Sequence, residues 1–285
     1  KIQDGCDGCC SYCVVPGVRG RSRSRPISEA REQVGRLTAS GFKEVVLTGA
    51  RVGSYGKDLG SDYSLLGLLK ALVADFPGLR FRLSSLEPSE IDNSLIEYAV
   101  GEERVCRHFH VPMQSGDEGI LNAMRRPYTP GEYAEKIRMI HHNLPNACLG
   151  SDVMVGFPGE SETEFNNTYE LIEKLPLSYL HVFPFSRRPD TPACNMEAQS
   201  TAIVKRDRAR ALRELGSRKR LAFLESQLGG FAEIILEEEV EFGLFKGTTS
   251  NYLRVLVRAE GKDIRDSMNV RITGRAGNTM LAHPC

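Results

Sequence analysis

Several absences narrow the field. The 37 basic and 37 acidic side chains cancel, so the chain has no global pull towards a polyanion. Any affinity for nucleic acid has to come from local patches. No run of 18 consecutive apolar residues occurs, which argues against a membrane-spanning helix and a membrane partner. The amino terminus lacks the charged-then-apolar pattern of a secretory signal. Eight cysteines in 285 residues are too few for a disulfide scaffold. Four of them crowd into one stretch, which points to metal binding in a reducing, cytoplasmic compartment. There is no internal repeat and no low-complexity tract. The sequence does not open on Met and enters a motif within six residues, so an upstream domain is expected.

What is present reads as two textures. Up to about residue 186, short apolar runs alternate with amphipathic stretches. Strands are expected over residues 44–49 (EVVLTG), 79–85 (LRFRLSS), 106–112 (CRHFHVP), 149–156 (LGSDVMVG) and 179–185 (YLHVFPF), after a first strand over 1–4. The helical period predicts helices over 28–40, 64–75, 92–99, 117–124, 129–144 and 161–175. Ser161 with Glu162 and Glu164 makes an acidic, capped first turn, and Gly41 is a helix stop. Such alternation implies a parallel sheet with helical crossovers. The expected fold class is α/β: a partial (β/α)6 barrel of TIM-like build, with a doubly wound sheet as the alternative. Residues 201–228 read as a long basic helix. Beyond Phe231, runs over 232–236, 240–245, 253–257, 270–273 and 279–282 predict a small antiparallel β-barrel. The expected division is 1–222 and 223–285.

The cysteines sit directly after the first predicted strand. In a barrel that loop lies at the carboxyl ends of the strands, where active sites are built. Cys6, Cys10 and Cys13 form C-x3-C-x2-C. Thiolates suit iron–sulfur clusters, zinc or Cu(I). Three thiolates on a four-iron cluster leave one iron open to another ligand. Counting Cys9, the same stretch holds two C-x2-C pairs, the spacing of a closed zinc site. Adjacent Cys9 and Cys10 project in different directions, which makes shared ligation awkward.

This ordered set resembles the radical S-adenosylmethionine (SAM) enzymes, and within them the methylthiotransferases. The likeness is carried by residues 6–13 (CDGCCSYC), with Tyr12 before the last cysteine, and by Val15-Pro16, Arg19-Gly20 and residues 22–25 (SRSR). It continues through 47–49 (LTG), 83–88 (LSSLEP), 108–116 (HFHVPMQSG), 124–128 (MRRPY), 152–160 (DVMVGFPGE) and 181–186 (HVFPFS). The LTG and LSSLEP wording most resembles the branch acting on N6-threonylcarbamoyladenosine (t6A) next to the anticodon of tRNA. Related branches act on isopentenyladenosine in tRNA or on a ribosomal protein. The β module resembles the RNA-binding TRAM domain.

The resemblance implies that Cys6, Cys10 and Cys13 hold a 4Fe-4S cluster whose open iron binds SAM. Reductive cleavage would then release a 5′-deoxyadenosyl radical that takes hydrogen from the base. It implies a second 4Fe-4S cluster in an upstream domain and an electron donor such as flavodoxin or ferredoxin. A monomer is expected. Around SAM the expected contacts are Tyr12, Thr48, Gly49, Ser85, Glu87, Gln114, Arg126, Asp152, Gly156 and Phe183. Several have a plainer reading: Gly49 as a strand-end turn, Glu87 as a solvated acid, Arg126 as a surface ion pair beside Tyr128, and Phe183, like Phe157, as core. His108 and His110 share one face and read as hydrogen-bonded barrel lining rather than metal ligands. Cys106 and Cys148 read as buried strand residues. Asp190 stands where the family has glycine, and aspartate tolerates the positive φ such a turn needs.

For tRNA, two basic stretches are expected to meet phosphates: Arg19, Arg21, Arg23 and Arg25, and the long helix, with Arg208 and Arg218. Residues 205–220 carry eight basic against two acidic side chains. In the β module the expected RNA face is Lys246, Asn251, Tyr252, Arg254, Arg271 and Arg275. Such contacts position RNA without reading its sequence. A non-catalytic zinc-knotted RNA-binding protein is the rival reading.

Overall fold

Alternation of strand and helix is what the chain builds, as seen in a computed structural model that describes all residues, Lys1–Cys285. The elements run β1 (Gln3–Asp4), α1 (Val15–Arg19), β2 (Arg23–Ser24), α2 (Ile27–Ala39), β3 (Glu44–Leu47), α3 (Leu65–Asp75), β4 (Arg80–Leu83), α4 (Asn93–Gly101), β5 (His108–His110), α5 (Glu118–Ala123), α6 (Pro130–Asn143), β6 (Cys148–Val155), α7 (Glu162–Lys174), β7 (Tyr179–Pro184) and α8 (Ala202–Ser226). Side-chain caps start the helices where the sequence placed them. Ser64, Asp92, Asp117, Thr129 and Ser161 each accept from a first-turn N–H, and Thr129 and Ser161 complete capping boxes with Glu132 and Glu164.

Strands β3 and β4 pair in parallel, as do β5, β6 and β7. A bridge from Phe81 to Val105 joins the two groups. The N–H of Ile2 donates to the Thr48 carbonyl at 2.8 Å and ties the first segment to the end of β3. The result is the open, partial barrel the sequence predicts. The outer edge of β7 has no strand partner.

Alternate side chains separate two environments. Val45, Leu47, Phe81, Leu83, Phe109, Leu149, Val153 and Val182 pack outwards in a 43-residue apolar core under the helices. Glu44, Arg82, His108, His110, Asp152, Tyr179 and His181 line the lumen instead. Gly150 makes room for this lining, because a Cβ there would fall 2.0 Å from the Tyr179 ring.

The β module follows as β8 (Phe231–Glu241), β9 (Leu244–Thr249), β10 (Arg254–Arg258), β11 (Ser267–Ala276) and β12 (Thr279–Pro284), closed in the order β10-β12-β11-β8-β9. Helix α8 serves both units: Leu212 and Leu215 pack on the large core, and Leu224 packs inside the small one. The β9–β10 turn closes the amino-terminal end of the lumen. Arg80 donates to the Thr248 carbonyl at 2.6 Å, and Arg82 to Thr249 and Ser250, each at 3.0 Å. Glu44 accepts from both arginines, at 2.5 and 2.7 Å. Tyr252 stacks on His108 at 4.3 Å between ring centres.

Four expectations need correction. The first strand is two residues long and pairs antiparallel with β2. Elements α1 and β2, too short to show a period, went unseen in the sequence. The β module is not wholly antiparallel, since β10 and β12 run parallel to close it. The strand expected over 240–245 spans a hairpin: β8 runs to Glu241, and Gly243, with φ of 70°, makes the turn. Asp190 does take a positive φ, 63°.

Candidate active site

The loop after β1 is held from both sides at Ser11. Its hydroxyl donates to the Ala123 carbonyl at 2.7 Å, and its carbonyl accepts from the Ala193 N–H at 2.8 Å. The three expected ligand thiols each receive a hydrogen bond. Gly8 N–H reaches Cys6 Sγ at 3.2 Å, Val15 N–H reaches Cys13 Sγ at 3.4 Å, and Arg126 Nη1 reaches Cys10 Sγ at 3.3 Å. Cys9 receives none and is exposed. Burial pushes the Cys13 thiol up, partly countered by the Val15 N–H.

These thiols suit a cluster better than one metal ion. Tetrahedral zinc with 2.3 Å bonds needs sulfurs about 3.8 Å apart. Only His110, Asp152 and His181 bring three ligand atoms within 4.8 Å of one another, so no three cysteine sulfurs are gathered that tightly. A four-iron cubane is larger and takes thiolates spread around it, with N–H groups directed at its sulfurs.

Arg126 links this loop to β4. Its Nη2 pairs with Glu87 Oε2, and its Nε donates to Tyr128 Oη at 3.0 Å. Tyr128 in turn donates to the carbonyls of Pro112 and Met113. So Glu87 is not a solvated acid, and Arg126 is no surface residue. Burial pushes Glu87 up, against the opposing charge of Arg126. Arg51, which no sequence signal marked, pairs with Glu90 at 2.5 Å and lies over Gly8 of the cysteine loop.

The other expected residues divide. Tyr12 is half-buried, edge-on to Phe157, whose ring is fully buried core. Gly49 is needed beside a neighbour: a Cβ would sit 2.9 Å from the Gln3 carbonyl oxygen. Thr48 supplies its carbonyl to Ile2. Gly156, with φ of 69°, gives its N–H to Glu160 at 2.7 Å, and Lys205 covers its Cα. Gln114 has φ of 66° and bridges to Val153 beside the lumen. Ser85 is exposed and lines the lumen. Phe183 is no core residue, for its ring is exposed in the lumen.

Asp152 stands at the centre of a polar lumen. His110 Nε2 lies 2.9 Å and His181 Nδ1 3.1 Å from its Oδ1. Burial opposes the carboxylate, yet these bonds outweigh it and hold Asp152 below the usual range. Tyr179 Oη lies 2.8 Å from His108 Nε2 and 3.0 Å from His110 Nδ1. His108 and His110 are thus hydrogen-bonded lining, as expected. The cavity holds about 520 Å³ and runs from Tyr252 and Arg254 of the β module to Ser85 and Phe183 at the carboxyl ends of β4 and β7. A second cavity of about 510 Å³, lined by Arg213, Arg220 and Asn278, shares Tyr179, His181 and Tyr252 with it.

The basic residues also divide. Arg19, Arg21 and Arg23 are exposed, with Arg19 beside Asp4, whereas Arg25 is half-buried against Gln33. Arg208 does not face solvent: it is buried and pairs with Glu160 at 2.7 Å, which corrects its assignment to RNA. Helical periodicity placed it on the inner face, a signal outweighed by the charge run. Arg218 is exposed beside Tyr169, and Arg254 lines the lumen cavity. Asn251 and Tyr252 belong to the docking turn rather than to a free RNA face. Lys246 pairs with Glu238, Arg275 with Glu225, and Arg271 lies over Phe231.

The chain has known counterparts. Residues 1–172 match the family model described as the Radical SAM superfamily. The chain is 40% identical over 256 residues to a threonylcarbamoyladenosine tRNA methylthiotransferase of Aquifex aeolicus, covering 90% of this chain and 60% of that one. It is 40% identical over 243 residues to a tRNA-2-methylthio-N(6)-dimethylallyladenosine synthase of Pelotomaculum thermopropionicum, covering 85% and 54%. The chain therefore spans little more than half the length of these curated relatives. Among solved structures, the radical SAM methyltransferase TsrM of Kitasatospora setae superposes with a TM-score of 0.58 at 18% identity, over 68% of this chain and 35% of that one, a likeness of fold. With the three-cysteine loop at the carboxyl end of a partial barrel, the chain belongs to the radical SAM superfamily.

Proposed function

We propose that the protein is a methylthiotransferase acting on t6A next to the anticodon of tRNA. Residues 1–222 would form its catalytic unit and 223–285 its RNA-binding module. Cys6, Cys10 and Cys13 would hold a four-iron cluster, with SAM on the fourth iron. Once bound, and reduced by a donor such as flavodoxin or ferredoxin, such a cluster would supply one electron for cleavage of SAM to methionine and a 5′-deoxyadenosyl radical. In this reading the sulfur is delivered through a second cluster outside this chain. The chain's own residues orient and exclude water. Arg126 ties the Cys10 sulfur to Glu87, and Ser85 lines the cavity a substrate would take.

The substrate reading rests on one observation, the polarity of the lumen. Relatives of equal identity are named for t6A and for dimethylallyladenosine. The cavity presents Glu44, Arg82, His110, Asp152, His181 and Arg254. An apolar five-carbon arm offers nothing to the polar atoms left open there, His181 Nε2, the second Asp152 oxygen and the Arg254 guanidinium. The threonylcarbamoyl arm carries an amide, a hydroxyl and a carboxylate to meet them.

The test is anaerobic reconstitution with iron and sulfide, then incubation with SAM and a reductant. The expected result is 5′-deoxyadenosine formation that is lost in Cys10→Ala. Stoichiometric zinc with no SAM cleavage would favour the zinc-bound RNA-binding protein instead.

A further inference from the structure

The lumen hydrogen bonds have only one consistent direction. Burial pushes His108 down to about 3, so its ring is neutral and carries one N–H. Its Nδ1 is buried without a partner. A proton there would be an orphaned buried donor, which proteins avoid more strictly than a bare lone pair. The proton therefore sits on Nε2 and is donated to Tyr179 Oη. Burial keeps the Tyr179 hydroxyl protonated, so its hydrogen goes to His110 Nδ1. His110 then donates from Nε2 to Asp152 Oδ1. The Asp152 carboxylate only accepts, so His181 donates to it from Nδ1.

The end of this chain is the point of interest. With its Nδ1 side held by Asp152, His181 turns Nε2 away from that carboxylate, where it can accept a hydrogen bond. That atom has no partner within the protein, and the ring borders both cavities. This is the logic of a carboxylate that fixes the tautomer of a working histidine. Phe183, two residues along the same strand face, offers an exposed ring edge-on to His181. An adenine stacked on Phe183 would bring its N6 substituent to His181.

We infer that His181 selects the substrate arm: Nε2 accepts a hydrogen bond from the N–H or hydroxyl of the carbamoyl-threonine group, with Asp152 as its positioning residue. An isopentenyl arm has no donor beyond N6 and leaves this acceptor unmet. The inference rests on the t6A reading above.

The test is equilibrium binding, which needs no turnover. Anticodon stem-loop RNAs carrying t6A, isopentenyladenosine or plain adenosine are titrated by fluorescence anisotropy against the cluster-loaded protein. The wild type is expected to prefer t6A by on the order of 10-fold, the worth of one good hydrogen bond. His181→Phe should erase that preference, read as the ratio of affinities for t6A and plain adenosine RNA. His181→Gln, whose amide oxygen can stand near Nε2, should restore part of it. A t6A preference that survives His181→Phe would overturn the inference and leave the t6A reading intact. A wild type that binds all three RNAs equally would overturn both.

Discussion

Arg126 Nη1 stands 3.3 Å from Cys10 Sγ, while the Nη2 of the same guanidinium holds Glu87. One buried cation thus joins the cysteine loop to the end of β4. The side chain is 5% exposed, so its charge acts in a poorly screened setting. Glu87 answers the charge, and Tyr128 fixes the plane of the fork.

The cysteines are expected to separate cleanly. Cys10→Ala, like Cys6→Ala or Cys13→Ala, should abolish the visible absorption of a reconstituted four-iron cluster. Cys9→Ser should retain it, because Cys9 is exposed and receives no hydrogen bond. Loss of iron in Cys9→Ser would restore the zinc reading.

Glu44 is expected to hold the two units together. Glu44→Ala leaves Arg80 and Arg82, exposed by only 7% and 4%, without a counter-charge. The cost should be about 3–5 kcal/mol. Urea unfolding should show that loss, and limited proteolysis should cut sooner between α8 and the β module. Unchanged urea midpoints would contradict the role of this pair.

His108 predicts how stability depends on pH. Its pKa is pushed down to about 3 from 6.5, by burial first and then by the charge of Arg82. Between those values the unfolded chain binds a proton that the folded chain refuses. The His108 contribution is therefore complete above about pH 6.5 and is lost as pH falls towards 3, by up to about 1.4 kcal/mol per pH unit. Chemical denaturation across pH 4–7 should show a shallower slope in His108→Phe than in the wild type. Identical slopes would mean that His108 is not held neutral.

Arg213 and Arg220 are expected to carry phosphate contacts that the sequence assigned to Arg208. Neither has a carboxylate partner within 4.0 Å, and both line the cavity that opens beside β7. In Arg213→Gln/Arg220→Gln, affinity for an anticodon stem-loop RNA should fall, and the slope of log affinity against log salt should flatten by about 2. Arg36→Gln, remote on α2, should leave the slope unchanged. A double variant with the wild-type slope would remove this surface from the account.

Legibility followed the length scale of each signal. Strand and helix positions could be read because alternation and side-chain caps are local: Ser64, Asp92, Thr129 and Ser161 announce their helices in the sequence itself. The cysteine spacing was legible for the same reason. The partners of the site were not. Glu87 meets Arg126 across 39 positions, and Tyr252 meets His108 from the β module. Arg208 misled because charge shows in a sequence and a buried counter-ion such as Glu160 does not. The lumen chain through Tyr179 depends on Gly150 leaving space opposite, a relation visible only once β6 and β7 are paired.

The central claim is that this superfamily member places a methylthio group on t6A of tRNA. Its most direct test is mass spectrometry of tRNA nucleosides from cells that lack the full-length protein and then regain it. The account predicts that 2-methylthio-t6A disappears, returns with the wild-type gene and does not return with Cys10→Ala. Persistence of 2-methylthio-t6A in its absence, or loss of the methylthio-isopentenyl nucleoside instead, would contradict it.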